Sequence, residues 1–217
     1  MLEWYRLDWD HRRLIEETAE LVQSALALVG RRATLSQIGY HELYRQRLGI
    51  DAHTASEEAL GEAMGDVVID PAGLTRDDWL DLLMTHRLQP SFPADQLLAV
   101  YDYPASQCAL ARLRGAEAAG DVPVAERFEL YLGPLELANG YHELADAAEQ
   151  GRRFDRDRAL RRDRGDVQPP REERLLQALA AGFPHCAGVA LGVDRLMMAM
   201  LGSGRIADVL AFDFSRA

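Results

Sequence analysis

Apolar residues recur along this chain with two different spacings, one typical of helices and one typical of strands. Between residues 9 and 29 they lie three or four positions apart, from Leu14 to Val29, and the pattern stops at Gly30. This spacing predicts an amphipathic helix that ends at the glycine. Shorter apolar runs at residues 1–6 and 97–103 and at Cys186–Leu191 predict strands.

The region between the first helix and the strand at residue 97 has helical spacing again. Three helices are expected there, at residues 40–48, 55–64 and 76–88, with Pro90 and Pro93 following the last one. We therefore expect residues from about 31 to 94 to form a mostly helical insertion. Two further helices are predicted at residues 146–164 and 171–181.

Residues 126–132 and 135–143 are two strand-like segments on either side of Gly133-Pro134, which indicates a hairpin. The length of 217 residues and the ordinary composition predict one compact domain over residues 1–217.

Composition narrows the possible functions. The formal net charge is −11 and all 24 basic residues are arginines, so a broad nucleic-acid-binding surface is not expected. No apolar run is long enough to cross a bilayer, and Cys108 and Cys186 lack metal-ligand spacing. We expect a reduced, cytoplasmic protein that does not contact membranes.

The segment from Cys186 to Arg195 has the pattern of a phosphate-binding turn. A buried strand leads through Gly192 into a helix with Arg195 in its first turn. Glycine allows close approach of a ligand, a helix N-terminus favours anions, and arginine offers a planar donor pair. The same segment could equally be a packing turn without a ligand.

Polar residues of the predicted hairpin form a second candidate site. On a strand, Asn139, Tyr141 and Glu143 point to one side, and this wall suits an ammonium group. Near the start, Glu3 and Tyr5 would likewise share a strand face. The alternative is that the wall is simply the solvent face of a sheet, but Asn139 is the only asparagine in the chain.

Two glutamates of the hairpin, Glu129 and Glu136, could hold a divalent cation that bridges nucleotide phosphates. Glu136 has the opposite parity from Asn139, so both can face a ligand only if the strand bulges, which we place at residues 138–140. His142 and His185 have no partner at metal or triad spacing and are interpreted as structural. We expect Glu136, Glu143 and Arg195 to surround one cleft.

Together the segments Glu126-Arg-Phe-Glu-Leu-Tyr131, Glu136-Leu-Ala-Asn-Gly-Tyr-His-Glu143 and Gly188-Val-Ala-Leu-Gly-Val-Asp-Arg195 resemble the class II lysyl-tRNA synthetase catalytic domain. They are most similar to its paralogues, the elongation factor P lysine ligases. The resemblance extends over essentially the whole chain. It implies an α+β fold with an antiparallel sheet flanked by helices. It also implies ATP-dependent activation of lysine or (R)-β-lysine as an adenylate, and transfer to a lysine side chain of elongation factor P.

The resemblance also implies roles for single residues. Gly192 and Arg195 would contact ATP, with Arg195 as the catalytic arginine, and Glu136 with Leu137 would form a further ATP-contacting pair. Glu129 and Glu136 would place Mg²⁺. The amino groups of the substrate would be recognised by Glu143 and Tyr5, supported by Glu3 and Asn139.

Ala190 stands where lysyl-tRNA synthetases typically have glycine, and we interpret its methyl group as favouring (R)-β-lysine over lysine. The acidic balance fits an enzyme that does not bind tRNA. The resemblance aligns residues 1–6 with the end of motif 2. The domain would then be incomplete at its N-terminus and would lack the motif 2 arginine. It would also lack motif 1, which forms the dimer contact in this homodimeric family. The alternatives are a lysyl-tRNA synthetase fragment and a shortened, non-catalytic paralogue that acts as a binding module.

Overall fold

The structure, a computed structural model, describes residues 1–115 and 122–214 of the 217-residue chain. Its strands are β1 (Leu2–Leu7), β2 (Thr34–Gly39), β3 (Gln96–Pro104), β4 (Leu113–Arg114), β5 (Val124–Leu132), β6 (Leu135–His142) and β7 (Cys186–Leu191). Its α-helices are α1 (His11–Leu28), α2 (Tyr40–Leu48), α3 (Glu57–Glu62), α4 (Arg76–Leu83), α5 (Ala147–Arg164), α6 (Glu173–Ala180) and α7 (Val193–Leu201). Short π and 3₁₀ turns follow α4, at Met84–Leu88 and Gln89–Ser91.

The strands form one sheet in the order β1-β7-β6-β5-β3-β2, with β4 paired to β5. All neighbouring pairs are antiparallel except β2 and β3, which are parallel. The expected α+β class with a mainly antiparallel sheet flanked by helices is confirmed, and the parallel pair lies at the β2 edge. The helices between β2 and β3 provide the long connection that a parallel pair needs.

The insertion predicted at about 31–94 therefore has the wrong boundaries. Its first part, Thr34–Gly39, is a strand of the sheet, and the helical part begins at Tyr40. The sequence Thr-Leu-Ser-Gln-Ile-Gly offers no clear alternation, because β2 is an edge strand whose residues all remain partly exposed. The predicted helix at residues 40–48 is confirmed, and it ends at Gly49 in the left-handed region (φ 70°).

The sheet separates two hydrophobic cores. Helix α1 covers one face, where its buried side chains Leu14, Ile15 and Val22 belong to the same core as Phe128 and Leu130 of β5. Helices α2 and α4 cover the β3 end of the opposite face. Side chains on a strand alternate between its two faces. Arg127, Glu129 and Tyr131 of β5 therefore point to the second face. That face carries the candidate site.

Strand β6 bulges as expected, although at a slightly different place. Its pairing with β5 shifts between Leu130↔Ala138 and Tyr131↔Glu136, so the extra residue is Leu137 rather than one of residues 138–140. The shift reverses the parity of Glu136 relative to Asn139. Both side chains therefore point to the same face of the sheet.

Within the described ranges, no helix is both long and apolar enough to cross a membrane. Both cysteines, Cys108 and Cys186, are buried free thiols.

Candidate active site

Two rows of side chains cross four strands on the open face of the sheet. In the first row, the neighbours are Glu3 on β1, Ala190 on β7, Asn139 on β6 and Glu129 on β5. The second row is two residues away on each strand, later in the chain on β1 and β6 and earlier on β7 and β5. It consists of Tyr5, Gly188, Tyr141 and Arg127. Strand pairing thus brings together residues from the two ends of the chain.

The β1 side of these rows surrounds a cavity of about 180 Å³, which we call the amino-acid cavity. Every residue that the sequence assigned to substrate binding lines it, together with four neighbours. The full lining is Glu3, Tyr5, Leu110, Asn139, Tyr141, Glu143, Gly188, Val189 and Ala190. Tyr5 remains 57% exposed, so the cavity is open on the β1 side.

Glu143 is the central charge of the amino-acid cavity. Burial raises the pKa of its carboxyl group from 4.5 to about 7, and the positive charge of His142, when present, is the only opposing influence. Burial disfavours the ionised form of this carboxyl group, and a bound ligand cation would stabilise that form. The cavity therefore suits a positively charged ligand.

One glycine and two polar side chains also shape the amino-acid cavity. A β-carbon at Gly188 would lie 2.4 Å from Oε1 of Glu143 and 2.5 Å from Cε1 of Tyr5, so only glycine leaves room for these two side chains. Asn139 donates a hydrogen bond from Nδ2 to the Tyr141 hydroxyl (3.1 Å), while its Oδ1 is buried without a partner among the described residues. A buried acceptor without a donor is costly, and a ligand ammonium could satisfy it.

A second cavity, of about 250 Å³, lies on the β5 side of the rows and contains the two glutamates predicted to bind metal. Glu129 accepts a hydrogen bond from the Tyr103 hydroxyl (2.7 Å) and contacts Tyr131 and the guanidinium of Arg127. Burial, followed by the charge of Glu129, raises the pKa of Glu136. The two carboxylates are thus close enough to repel each other.

Arg195 in the first turn of α7 contacts the same glutamate. Its Nη1 donates to the Glu136 carbonyl oxygen (2.9 Å) and lies 3.4 Å from the Glu136 carboxylate, and the side chain is about half exposed. Gly192 precedes α7, and no side chain caps this helix. The Gly192 N–H is not free, however, because it donates to the Leu137 carbonyl (2.9 Å).

Leu137 differs from the other predicted ATP contacts. Its side chain is buried in the core on the α1 face and reaches neither cavity. Any contact with a nucleotide would have to come from its backbone.

The expectation of a single cleft around Glu136, Glu143 and Arg195 is wrong in detail. Glu143 lines the amino-acid cavity, Glu136 lines the second cavity, and Arg195 contacts Glu136 from outside both. The cavities are neighbours on one sheet face, because Asn139 of the first is the cross-strand partner of Glu129 in the second. They form two adjoining compartments.

Two features of the site were missed in the sequence. Arg127, Tyr103 and Tyr131 surround Glu129, and parity along β5 could have indicated the shared face of Arg127, Glu129 and Tyr131. The conclusion that His142 and His185 lack partners is also wrong. Their Nε2 atoms lie 2.7 Å apart, and Nδ1 of His142 lies 2.6 Å from Glu126, contacts that join residues far apart in the chain.

Comparison with known proteins agrees with this architecture. The family model described as tRNA synthetases class II (D, K and N) matches residues 3–216. The chain belongs to this family. It is also 44% identical over 220 residues to elongation factor P–(R)-β-lysine ligase of Enterobacter sp. (strain 638), and 42% identical to the proteins of that name from Salmonella gallinarum and Salmonella enteritidis. All of the chain is covered in these matches, and it spans 65% of the length of each relative.

Proposed function

We propose that this chain carries the substrate cavities of an ATP-dependent ligase. The enzyme would activate (R)-β-lysine, or lysine, as an aminoacyl adenylate and transfer it to a lysine side chain of elongation factor P. The names of the relatives support the reaction, and the family supports the use of ATP. The observation that carries the proposal is the partly buried Glu143 carboxylate in the amino-acid cavity, which has no ion pair with a cationic side chain among the described residues.

In this proposal the amino-acid cavity holds the amino groups of the substrate. Glu143 accepts a charge-assisted hydrogen bond, and Asn139 offers its buried Oδ1 as a second acceptor. Tyr5 lines the open β1 side of the cavity beside Glu3. A hydrogen bond to a charged group is worth about 1.5–3 kcal/mol, or roughly ten- to 150-fold in affinity.

The neighbouring compartment would receive the nucleotide. Arg195 would neutralise phosphate charge, which requires it to leave its contact with the Glu136 carbonyl. Glu129 and Glu136 offer the oxygen donors that Mg²⁺ prefers. Their mutual repulsion favours a cation between them. The ion would share the Glu129 carboxylate with the Arg127 guanidinium. When bound, Mg²⁺ would offset the charge of the triphosphate.

The residues of the chain then act by position and charge. Adenylation is an in-line displacement at phosphorus, so the two compartments need to hold the substrate carboxylate next to the α-phosphate and exclude water. The shared Asn139–Glu129 boundary puts the two compartments next to each other on the sheet. We assign no side chain as a covalent nucleophile.

Glu143→Gln tests this assignment by calorimetry on the 217-residue chain. The variant is expected to bind (R)-β-lysine at least tenfold more weakly while ATP affinity stays within about twofold. Glu20→Gln, the same change on the exposed face of α1, serves as the control and should alter neither. Equal losses for both ligands in Glu143→Gln would contradict the assignment.

Catalysis is tested separately by ATP–pyrophosphate exchange, with the 217-residue chain and with a form extended upstream. Exchange followed by a mass increase of elongation factor P supports the ligase. Exchange with charging of tRNA instead would indicate a lysyl-tRNA synthetase. Amino-acid binding without exchange in either form would indicate a non-catalytic binding module.

A further inference from the structure

Three buried side chains converge on the sheet face opposite the two cavities. His11 is the first residue of α1, Glu126 lies on β5, and His142 ends β6. One possible ligand atom from each lies within 4.8 Å of the other two, and the residues are only 1%, 8% and 4% exposed. No other group of three such side chains could hold a metal ion within residues 1–115 and 122–214.

The hydrogen bonds of this cluster leave one nitrogen or oxygen atom of each side chain without a partner, and we call these the inner atoms. Nδ1 of His11, Oε2 of Glu126 and Nδ1 of His142 are all buried and lack a hydrogen-bond partner. Nδ1 of His142 lies 2.6 Å from Oε2 of Glu126, yet the two do not have hydrogen-bond geometry. Buried polar atoms are almost always paired, so three together need an explanation.

The outer nitrogen of each imidazole has a partner. Nε2 of His11 lies 2.9 Å from Oδ1 of Asp102, whose other oxygen lies 2.6 Å from Arg114. Nε2 of His142 lies 2.7 Å from Nε2 of His185. If each outer nitrogen carries the proton, both inner nitrogens present a lone pair. This arrangement of outer hydrogen bonds is the one that orients metal-bound histidines.

We propose that His11, Glu126 and His142 form a binding site for a divalent first-row transition metal, best suited to Zn²⁺. Two imidazole nitrogens and one carboxylate oxygen are donors that zinc accepts at three of four tetrahedral positions, which leaves the fourth for water. Hard cations such as Mg²⁺ prefer oxygen donors. Arg114 and Arg112 lie 3.5 and 3.8 Å from Glu126, so the site binds through nitrogen donors rather than through net negative charge.

The location gives the metal a structural role. It would join the first turn of α1 to the ends of β5 and β6, two strands that already pair with each other through their backbones. His142 and Glu143 are consecutive, so a metal on one face would also fix the strand end that carries Glu143 on the other. The site does not depend on the proposed ligase reaction.

The chain stripped with EDTA is titrated with Zn²⁺, with Co²⁺ as a spectroscopic substitute and with Mg²⁺ for comparison. We expect one Zn²⁺ per chain with submicromolar affinity, visible Co²⁺ bands of a low-coordinate nitrogen and oxygen site, and a melting temperature raised by several degrees. His11→Gln and Glu126→Gln should each weaken Zn²⁺ binding at least a hundredfold. His86→Gln changes an exposed histidine outside the cluster and should not.

Absence of saturable Zn²⁺ binding to the wild-type chain would overturn the proposal. Binding that survives both His11→Gln and Glu126→Gln would place the metal elsewhere and overturn it too. The Co²⁺ spectrum of the wild-type chain decides the question even if a variant fails to fold, because octahedral, oxygen-only bands would contradict the donor set.

Discussion

Gly188 on β7 lies directly opposite Tyr5 on β1, and the Tyr5 ring occupies the space where a side chain at position 188 would begin. A β-carbon there would lie 2.5 Å from Cε1 of Tyr5 and 2.4 Å from the Glu143 carboxylate. The backbone of β7 therefore forms the floor of the amino-acid cavity.

Gly188→Ala should move both Tyr5 and Glu143 out of position. We expect (R)-β-lysine affinity to fall at least tenfold and the free energy of unfolding to fall by about 1–3 kcal/mol, the usual cost of overpacking. Calorimetry and denaturant unfolding measure the two effects. Gly39→Ala is the control, because its nearest non-neighbouring atom would be 3.9 Å away and should accommodate the methyl group. Unchanged binding in Gly188→Ala would show that the cavity is not formed in this way.

Site residues that lie close together in the sequence could be predicted from it, whereas contacts between distant strands could not. The shared face of Asn139, Tyr141 and Glu143 follows from strand periodicity alone, and the bulge at Leu137 was required by the parity of Glu136. The placement of Glu3 and Tyr5 beside these residues came from the family resemblance, since nothing local predicts that β1 pairs with β7.

The parts that were missed depend on tertiary structure. Edge strand β2 lacks a periodic signal because it has no fully buried side. The contact of His11 with Glu126 and His142 joins the first turn of α1 to two strands more than a hundred positions later in the chain. No spacing rule connects such residues before the sheet order is known.

The affinity for a cationic amino acid should depend on pH through Glu143. Its pKa is raised from 4.5 to about 7 in the folded protein, and an ammonium ligand binds the ionised carboxylate. Between pH 8 and pH 6 the ionised fraction falls about tenfold, so the affinity of (R)-β-lysine should fall about tenfold as well. Calorimetry in EDTA-containing buffers of different ionisation enthalpy should also detect proton release on binding at pH 6. A flat profile, or one shared by Glu143→Gln, would contradict this role.

The same carboxylate should destabilise the folded protein at high pH. The folded pKa lies above the unfolded value of 4.5, so the folded state holds this proton more tightly, and the cost of ionisation grows from pH 4.5 until it is complete above pH 7. Glu143→Gln removes the titration. Its free energy of unfolding relative to wild type should therefore rise by about 2–3 kcal/mol between pH 4 and pH 8. Urea unfolding at several pH values measures the difference, and parallel curves for the two proteins would show that Glu143 is not desolvated.

Ala190 should influence which isomer of lysine is preferred. Its methyl group lies in the amino-acid cavity between Glu3 and Asn139 in the first row, where it limits the space for the substrate backbone. Ala190→Gly is expected to shift the ratio of (R)-β-lysine to lysine affinity towards lysine by about 1 kcal/mol, or roughly fivefold, as expected for one methyl group in a pocket. Ala187→Gly makes the same change three residues earlier, on the α1 face of β7, and should leave the ratio unchanged even if it lowers stability. Competition binding with both isomers measures the ratio, and equal ratios in wild type and Ala190→Gly would assign the selectivity to other residues.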